Sequence, residues 1–285
     1  MMAVMECAEP QLLVDGLVFP ESPRWRDDRL WFSDMLAGRV MTVDLAGHVE
    51  LLAQAPGWLS GLGWLPDGRL LVVSMQDRRL LRLEPGGLVE AADLRPLTSC
   101  TCNDMIVDRA GRAYVGEVGF DVHNGAPFQP AALVLVQPDG QSRVVDATLS
   151  CPNGTVITPD GRTMIIAESL GDRLTAFNIA DDGSLSGKRV WAAVEDLFPD
   201  GICLDAEGAV WVASTKKGEV LRVLEGGEVT HRVQVSSQMP LAVMLGGSDR
   251  RTLFICRGPH PNVAPELKQG RIEILRVEVP GAGLP

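Results

Sequence analysis

The chain has 285 residues, 46% of them apolar and 22% charged, with a net charge of −11 and a pI near 4.9. That apolar content excludes a disordered chain, and acidity without any Lys/Arg cluster excludes a face built to displace counterions from nucleic-acid phosphates. No apolar run approaches the ~20 residues of a membrane-spanning helix, and the opening Met1-Met-Ala-Val-Met-Glu-Cys7 lacks the basic and apolar regions of a secretory signal, so a cytoplasmic protein that binds neither nucleic acid nor membrane is expected.

The first element is a short apolar stretch, Gln11-Leu-Leu-Val-Asp15, which precedes a unit that then recurs along the chain: strand, turn rich in Asp and Gly, second strand, third strand. A degenerate copy starts Ser22-Pro-Arg-Trp-Arg-Asp-Asp-Arg-Leu. Clear copies follow at Leu62-Gly-Trp-Leu-Pro-Asp-Gly-Arg-Leu, Met105-Ile-Val-Asp-Arg-Ala-Gly-Arg-Ala, Thr155-Val-Ile-Thr-Pro-Asp-Gly-Arg-Thr and Ile202-Cys-Leu-Asp-Ala-Glu-Gly-Ala-Val, and a second degenerate copy at Val243-Met-Leu-Gly-Gly-Ser-Asp-Arg-Arg. Gly68, Gly111, Gly161 and Gly208 mark the turn, with Arg29 and Arg250 at that place in the weak copies, roughly 40 to 50 residues apart. That period is the size of one four-stranded propeller blade. The runs are too short for helices and show no 3.6-residue period. The chain is therefore predicted to be all-β, a six-bladed β-propeller formed by residues 1–285 as one domain. The last unit is one strand short, so Gln11–Asp15 is expected to pair near Ile272–Val277 and close the ring without leaving an open edge.

Six cysteines, Cys7, Cys100, Cys102, Cys151, Cys203 and Cys256, include no Cys-x-x-Cys pair. Free thiols without zinc or disulfides are expected, with Cys203 and Cys256 acting as buried apolar residues.

Eight residues before each turn mark stand Glu21, Ser60, Asn103, Asn153, Asp200 and Ala242. This position opens the innermost strand of each blade, so all six converge on the channel axis. Singly, an Asn or Asp at a strand start is as readily a turn former. Four oxygen-donor side chains at one register are what single the position out. Carboxylate and amide oxygens are hard ligands, which favours Ca²⁺ among divalent ions, with Mg²⁺, Mn²⁺, Fe²⁺ or Zn²⁺ as alternatives. No His or Cys stands in the ring, which argues against a structural zinc site.

Phe19-Pro-Glu21-Ser-Pro-Arg-Trp, Cys102-Asn103-Asp104-Met-Ile-Val-Asp, Pro152-Asn153-Gly154-Thr-Val and Pro199-Asp200-Gly201-Ile occur in this order. Together they resemble the gluconolactonase/senescence-marker-protein (regucalcin) family over essentially the whole chain. The resemblance implies a six-bladed propeller, one divalent metal ion and hydrolysis of sugar lactones. It also implies Glu21, Asn153 and Asp200 as direct metal ligands, with Asn103 beside the metal as ligand or substrate contact. The animal lactonases carry an Arg, holding sugar hydroxyls, at the position of Thr101. Their later acidic substrate residue is matched by Asp121. The Gly- and Pro-rich stretch after it, Val122 to Ala131, reads as a loop that could lie over the channel mouth and bring His123 to the substrate.

A small-molecule lactone is thus the expected partner. Asp200 is expected to act as general base while holding the ion, Asn103 to orient substrate, and Thr101, Asp121 and His123 to contact it. No Gly-x-Ser-x-Gly elbow offers a serine hydrolase instead. Two alternatives stay open: hydrolysis of phosphotriesters or fluorophosphates with the same metal, as in the more distant diisopropylfluorophosphatase and paraoxonases, and a non-catalytic calcium-binding propeller.

Overall fold

The computed structural model describes residues 4–121, 124–235 and 238–282. Among these residues the strands form six sheets, each built on four antiparallel strands, and the innermost strand of every sheet lies against that of the next until the sixth meets the first. This is a six-bladed β-propeller. The innermost strands of blades 1 to 6 are Pro20–Arg26, Leu59–Trp64, Cys102–Val107, Pro152–Ile157, Pro199–Leu204 and Met239–Gly246.

Burial explains the sequence pattern blade by blade. Strands such as Leu70–Ser74, Ala131–Val136 and Val210–Ser214 are buried at every position, because blades pack on both faces, and so they read as continuous apolar runs. The outermost Val49–Gln54 and Ser142–Leu149 face water and are mostly exposed or half-buried. Aromatic pairs fill seams between blades: Trp25 stacks on Phe254 at 5.3 Å, and Trp31 meets Trp64 edge-on at 5.3 Å.

The expected closure is present. The strand Gln11–Leu17 pairs antiparallel with Gly270–Arg276, Gln11 opposite Ile274 and Val14 opposite Ile272, as the fourth strand of blade 6. The chain before it does more than was expected: Met5–Glu6 adds a parallel fifth strand to blade 5, Met5 opposite His231. The turn marks Gly68, Gly111, Gly161 and Gly208 all have φ between +73° and +88°, and Arg250 has +57°. Arg29 differs. Blade 1 turns through Asp27 and Asp28, both at positive φ, and Arg29 is already the first residue of the second strand. A two-residue turn with both residues left-handed matches the strand twist, so the longer Asp-Gly turn is not needed there.

Candidate functional site

The ring position is set by a bulge. In blades 2 to 5, cross-strand pairing slips so that two inner-strand residues oppose one: Asn103 and Asp104 between Cys102 and Met105, Asn153 and Gly154 between Pro152 and Thr155, Asp200 and Gly201 between Pro199 and Ile202. Blade 1 slips between Glu21 and Arg24. A bulge frees the first residue from the ladder and aims it into the channel. The glycine after it answers a different need. A Cβ on Gly201 would stand 2.3 Å from Ala242 Cβ, and one on Gly154 2.5 Å from Ile202 N, since inner strands crowd together near the axis.

Asn103, Asn153 and Asp200 are the freed residues of their bulges, whereas Glu21 still pairs with Ser33 just ahead of the blade 1 slip. All four meet at the floor of one pocket of about 260 Å³. Glu21 is buried, and Oε2 accepts the Ser22 N–H at 3.0 Å. The Asn103 Nδ2 donates to the Pro152 carbonyl (3.2 Å) and the Asn153 Nδ2 to Ser169 Oγ (3.3 Å), which in turn donates to Pro199 O (2.7 Å). With their N–H ends tied to protein, both amides keep the carbonyl oxygen as the end turned away from those acceptors.

Electrostatics at the floor favour a cation. Burial and then the Asp200 charge push the Glu21 carboxyl well above its usual range. Burial and then Asp104 push Asp200 up to about 8, while a hydrogen bond from Asn153 pulls the other way. The buried cation nearby is spent elsewhere: Arg24 stands 3.1 Å from Asp104 and donates to the carbonyls of Leu62 and Met105. Among the described residues no three His, Cys, Asp or Glu side chains form a metal-ligand group. The candidate set is two carboxylates and two amides, the hard-donor chemistry of an alkaline-earth site.

Thr101 and Asp121 also line the pocket. The Asp121 carboxylate accepts from Asn124, at 3.2 Å from the backbone N–H and 2.7 Å from Nδ2. His123 lies outside the described residues. Of the ring positions without a strong donor, Ser60 Oγ lies 3.2 Å from Ser22 Oγ and Ala242 packs against Gly201.

Sequence reasoning missed the support beneath and beside the ring. Asp104, Ser22 and Arg24 form a buried polar cluster under it, Ser22 Oγ donating to Asp104 at 3.2 Å. The available signal was Asp104 itself, an acid where the sister repeats have Gly154 and Gly201. A second device repeats at the end of the second strand in three blades, where a buried acid accepts backbone N–H groups of the segment leading to the ring residue. Asp34 holds Val18 and Phe19 (2.9 and 2.7 Å), Glu117 holds Ser99 and Cys100 (2.7 and 2.8 Å), and Glu168 holds Ser150 (2.7 Å).

Residues 19–257 match the family described as the SMP-30/Gluconolactonase/LRE-like region. The chain belongs to this family. Within the SMP-30/gluconolactonase family it is similar to 6-deoxy-6-sulfogluconolactonase of Pseudomonas putida, 28% identical over 94% of both chains. It is also similar to a pentonolactonase of Haloferax volcanii, 27% identical over 82% of this chain and 80% of that one. Among solved structures, a calcium-binding regucalcin from Agrobacterium tumefaciens superposes with a TM-score of 0.81 at 22% identity, covering 100% of this chain and 99% of that one. A gluconolactonase from Xanthomonas campestris gives 0.76 at 22%, covering 98% of each. At that identity these structures speak for the propeller fold of the family. Among the described residues no helix is long and apolar enough to cross a membrane.

Proposed function

We propose that this chain hydrolyses a lactone with the help of one divalent cation held by Glu21, Asn153 and Asp200, Ca²⁺ being favoured by the donors. The observation that carries this reading is the convergence of two mutually repelling carboxylates and two oriented amides on the floor of one pocket, with Arg24 already paired to Asp104. The lactonase names of the two curated relatives support the same substrate class.

When bound, the cation supplies Lewis-acid stabilisation of the oxyanion that forms as the ester carbonyl is attacked. Asp200, as a carboxylate, takes a proton from the attacking water as the new C–O bond forms. It then returns that proton to the ring oxygen as the ester C–O bond breaks, leaving a hydroxy acid and the original carboxylate. Asn103 orients the substrate carbonyl, and Thr101 and Asp121 stand on the pocket wall beside it.

Chelator-stripped and Ca²⁺-reloaded protein, assayed on glucono-δ-lactone, alkyl lactones and a phosphotriester side by side, tests the reading. Lactone turnover lost on stripping and regained on reloading is expected. Metal binding without turnover of any ester would assign the chain to non-catalytic calcium binding, and preferential phosphotriester turnover would move it to the other hydrolase class.

A further inference from the structure

The pocket above the ring has walls unlike its floor. Met35, Leu36 and Trp58, from blades 1 and 2, face Leu170 and Phe198, from blades 4 and 5, across the axis. Leu170 and Phe198 are 38% and 36% exposed, large apolar side chains left at the mouth with part of their surface in water. Phe120, on the blade 3 side, is braced edge-on by Phe128 at 5.6 Å.

The polar oxygen-bearing side chains on these walls are Thr101, Asp121 and Ser169, and the last two already bond within the protein. Asp121 accepts from Asn124, and the Ser169 hydroxyl donates to Pro199 O. No Lys, Arg or His among the described residues lines the pocket. An anionic or polyhydroxylated substrate would strip water from its polar groups here and find little in exchange. An apolar substituent would instead cover the exposed faces of Leu170 and Phe198.

Resting on the lactone reading above, we propose that the substrate is a small lactone bearing an apolar alkyl or aryl substituent, with its ester over the ring and the substituent between the two apolar walls. The pocket volume of about 260 Å³ lies just below the roughly 300 Å³ at which ligand sites usually begin, which suits one ring with a short side chain.

Phe198 permits a clean test. Its φ of +40° is in the left-handed region, where Asn is at ease, so Phe198→Asn removes the apolar face without imposing new backbone strain. Calorimetry on Ca²⁺-loaded protein would compare two non-hydrolysable probes, 6-butyl-piperidin-2-one and gluconolactam. Hydrolysis of the corresponding lactones is measured in parallel. The butyl lactam is expected to bind at least about tenfold more tightly, and Phe198→Asn to lower that preference by about tenfold. Tighter binding of gluconolactam, no measurable binding of either probe, or an unchanged preference in Phe198→Asn overturns the proposal. Apolar preference in binding with no lactone hydrolysed would sink the hydrolase reading and leave the apolar site standing. Turnover of glucono-δ-lactone without apolar preference would do the reverse.

Discussion

The Arg24 guanidinium stands 3.1 Å from the Asp104 carboxylate at the base of the channel, with both side chains buried and the two residues 80 positions apart in the chain. Its other N–H groups go to the carbonyls of Pro23, Leu62 and Met105, so one side chain ties blades 1, 2 and 3 together. Removing one partner of such a pair strands the other charge in a poorly solvated place, and here the stranded charge is a third carboxylate near Glu21 and Asp200. Arg24→Met is expected to cost about 3–5 kcal/mol in urea unfolding. Adding Asp104→Asn should recover much of that loss, whereas additive losses in the double variant would show that the two side chains do not act as a unit.

The raised Glu21 and Asp200 carboxyls set the sign of a pH dependence. A folded pKa above the unfolded one means the folded protein binds more protons, so stability is full below about pH 4 and falls as pH rises through about 8. Stripped protein should therefore lose stability progressively between about pH 4 and 8 and level off above that, until the buried thiols, whose pKa values are raised, begin to contribute. Saturating Ca²⁺ keeps both carboxylates ionised and should abolish this slope. Chemical denaturation at several pH values, with chelator and with Ca²⁺, measures both lines, and equal slopes would separate these carboxyls from the metal.

Two ring variants divide metal holding from proton transfer. Asp200→Asn keeps the shape and one donor oxygen but loses the charge and the base, so activity is expected to fall roughly 10²–10⁴-fold even at saturating metal. Asn153→Ala removes a neutral ligand, so excess metal should restore part of its rate. A metal titration of activity with occupancy followed in parallel distinguishes them. Near-parental turnover by fully loaded Asp200→Asn would eliminate Asp200 as the base.

Glu117 acts through backbone. Its buried carboxylate accepts the N–H groups of Ser99, Cys100 and Ala132, fixing the segment that delivers Thr101 and Asn103. Glu117→Gln turns an amide N–H₂ toward one of these donors and should cost about 1–3 kcal/mol. It should also raise KM more than it lowers kcat, because the substrate wall shifts while the base stays in place. Unfolding curves and steady-state kinetics check both, and unchanged stability would show that the carboxylate does not hold this segment.

Much of this molecule was legible without coordinates, because a meander of hairpins makes its contacts between neighbours in sequence. The apolar runs, the turn glycines and the roughly 40 to 50-residue period give six blades, and rotational equivalence then sends Glu21, Asn103, Asn153 and Asp200 to one axis. The missing strand in the last unit even identified Gln11–Asp15 as its closure. Other features depend on which side chains meet between blades, and that is fixed only when the ring closes. Arg24 reaches Asp104 across two seams, Met5–Glu6 finds the edge of blade 5, and Leu170 and Phe198 come to face Met35 and Trp58. In the sequence Leu170 and Phe198 are indistinguishable from core residues, since their burial is decided by the width of the channel and not by any local pattern.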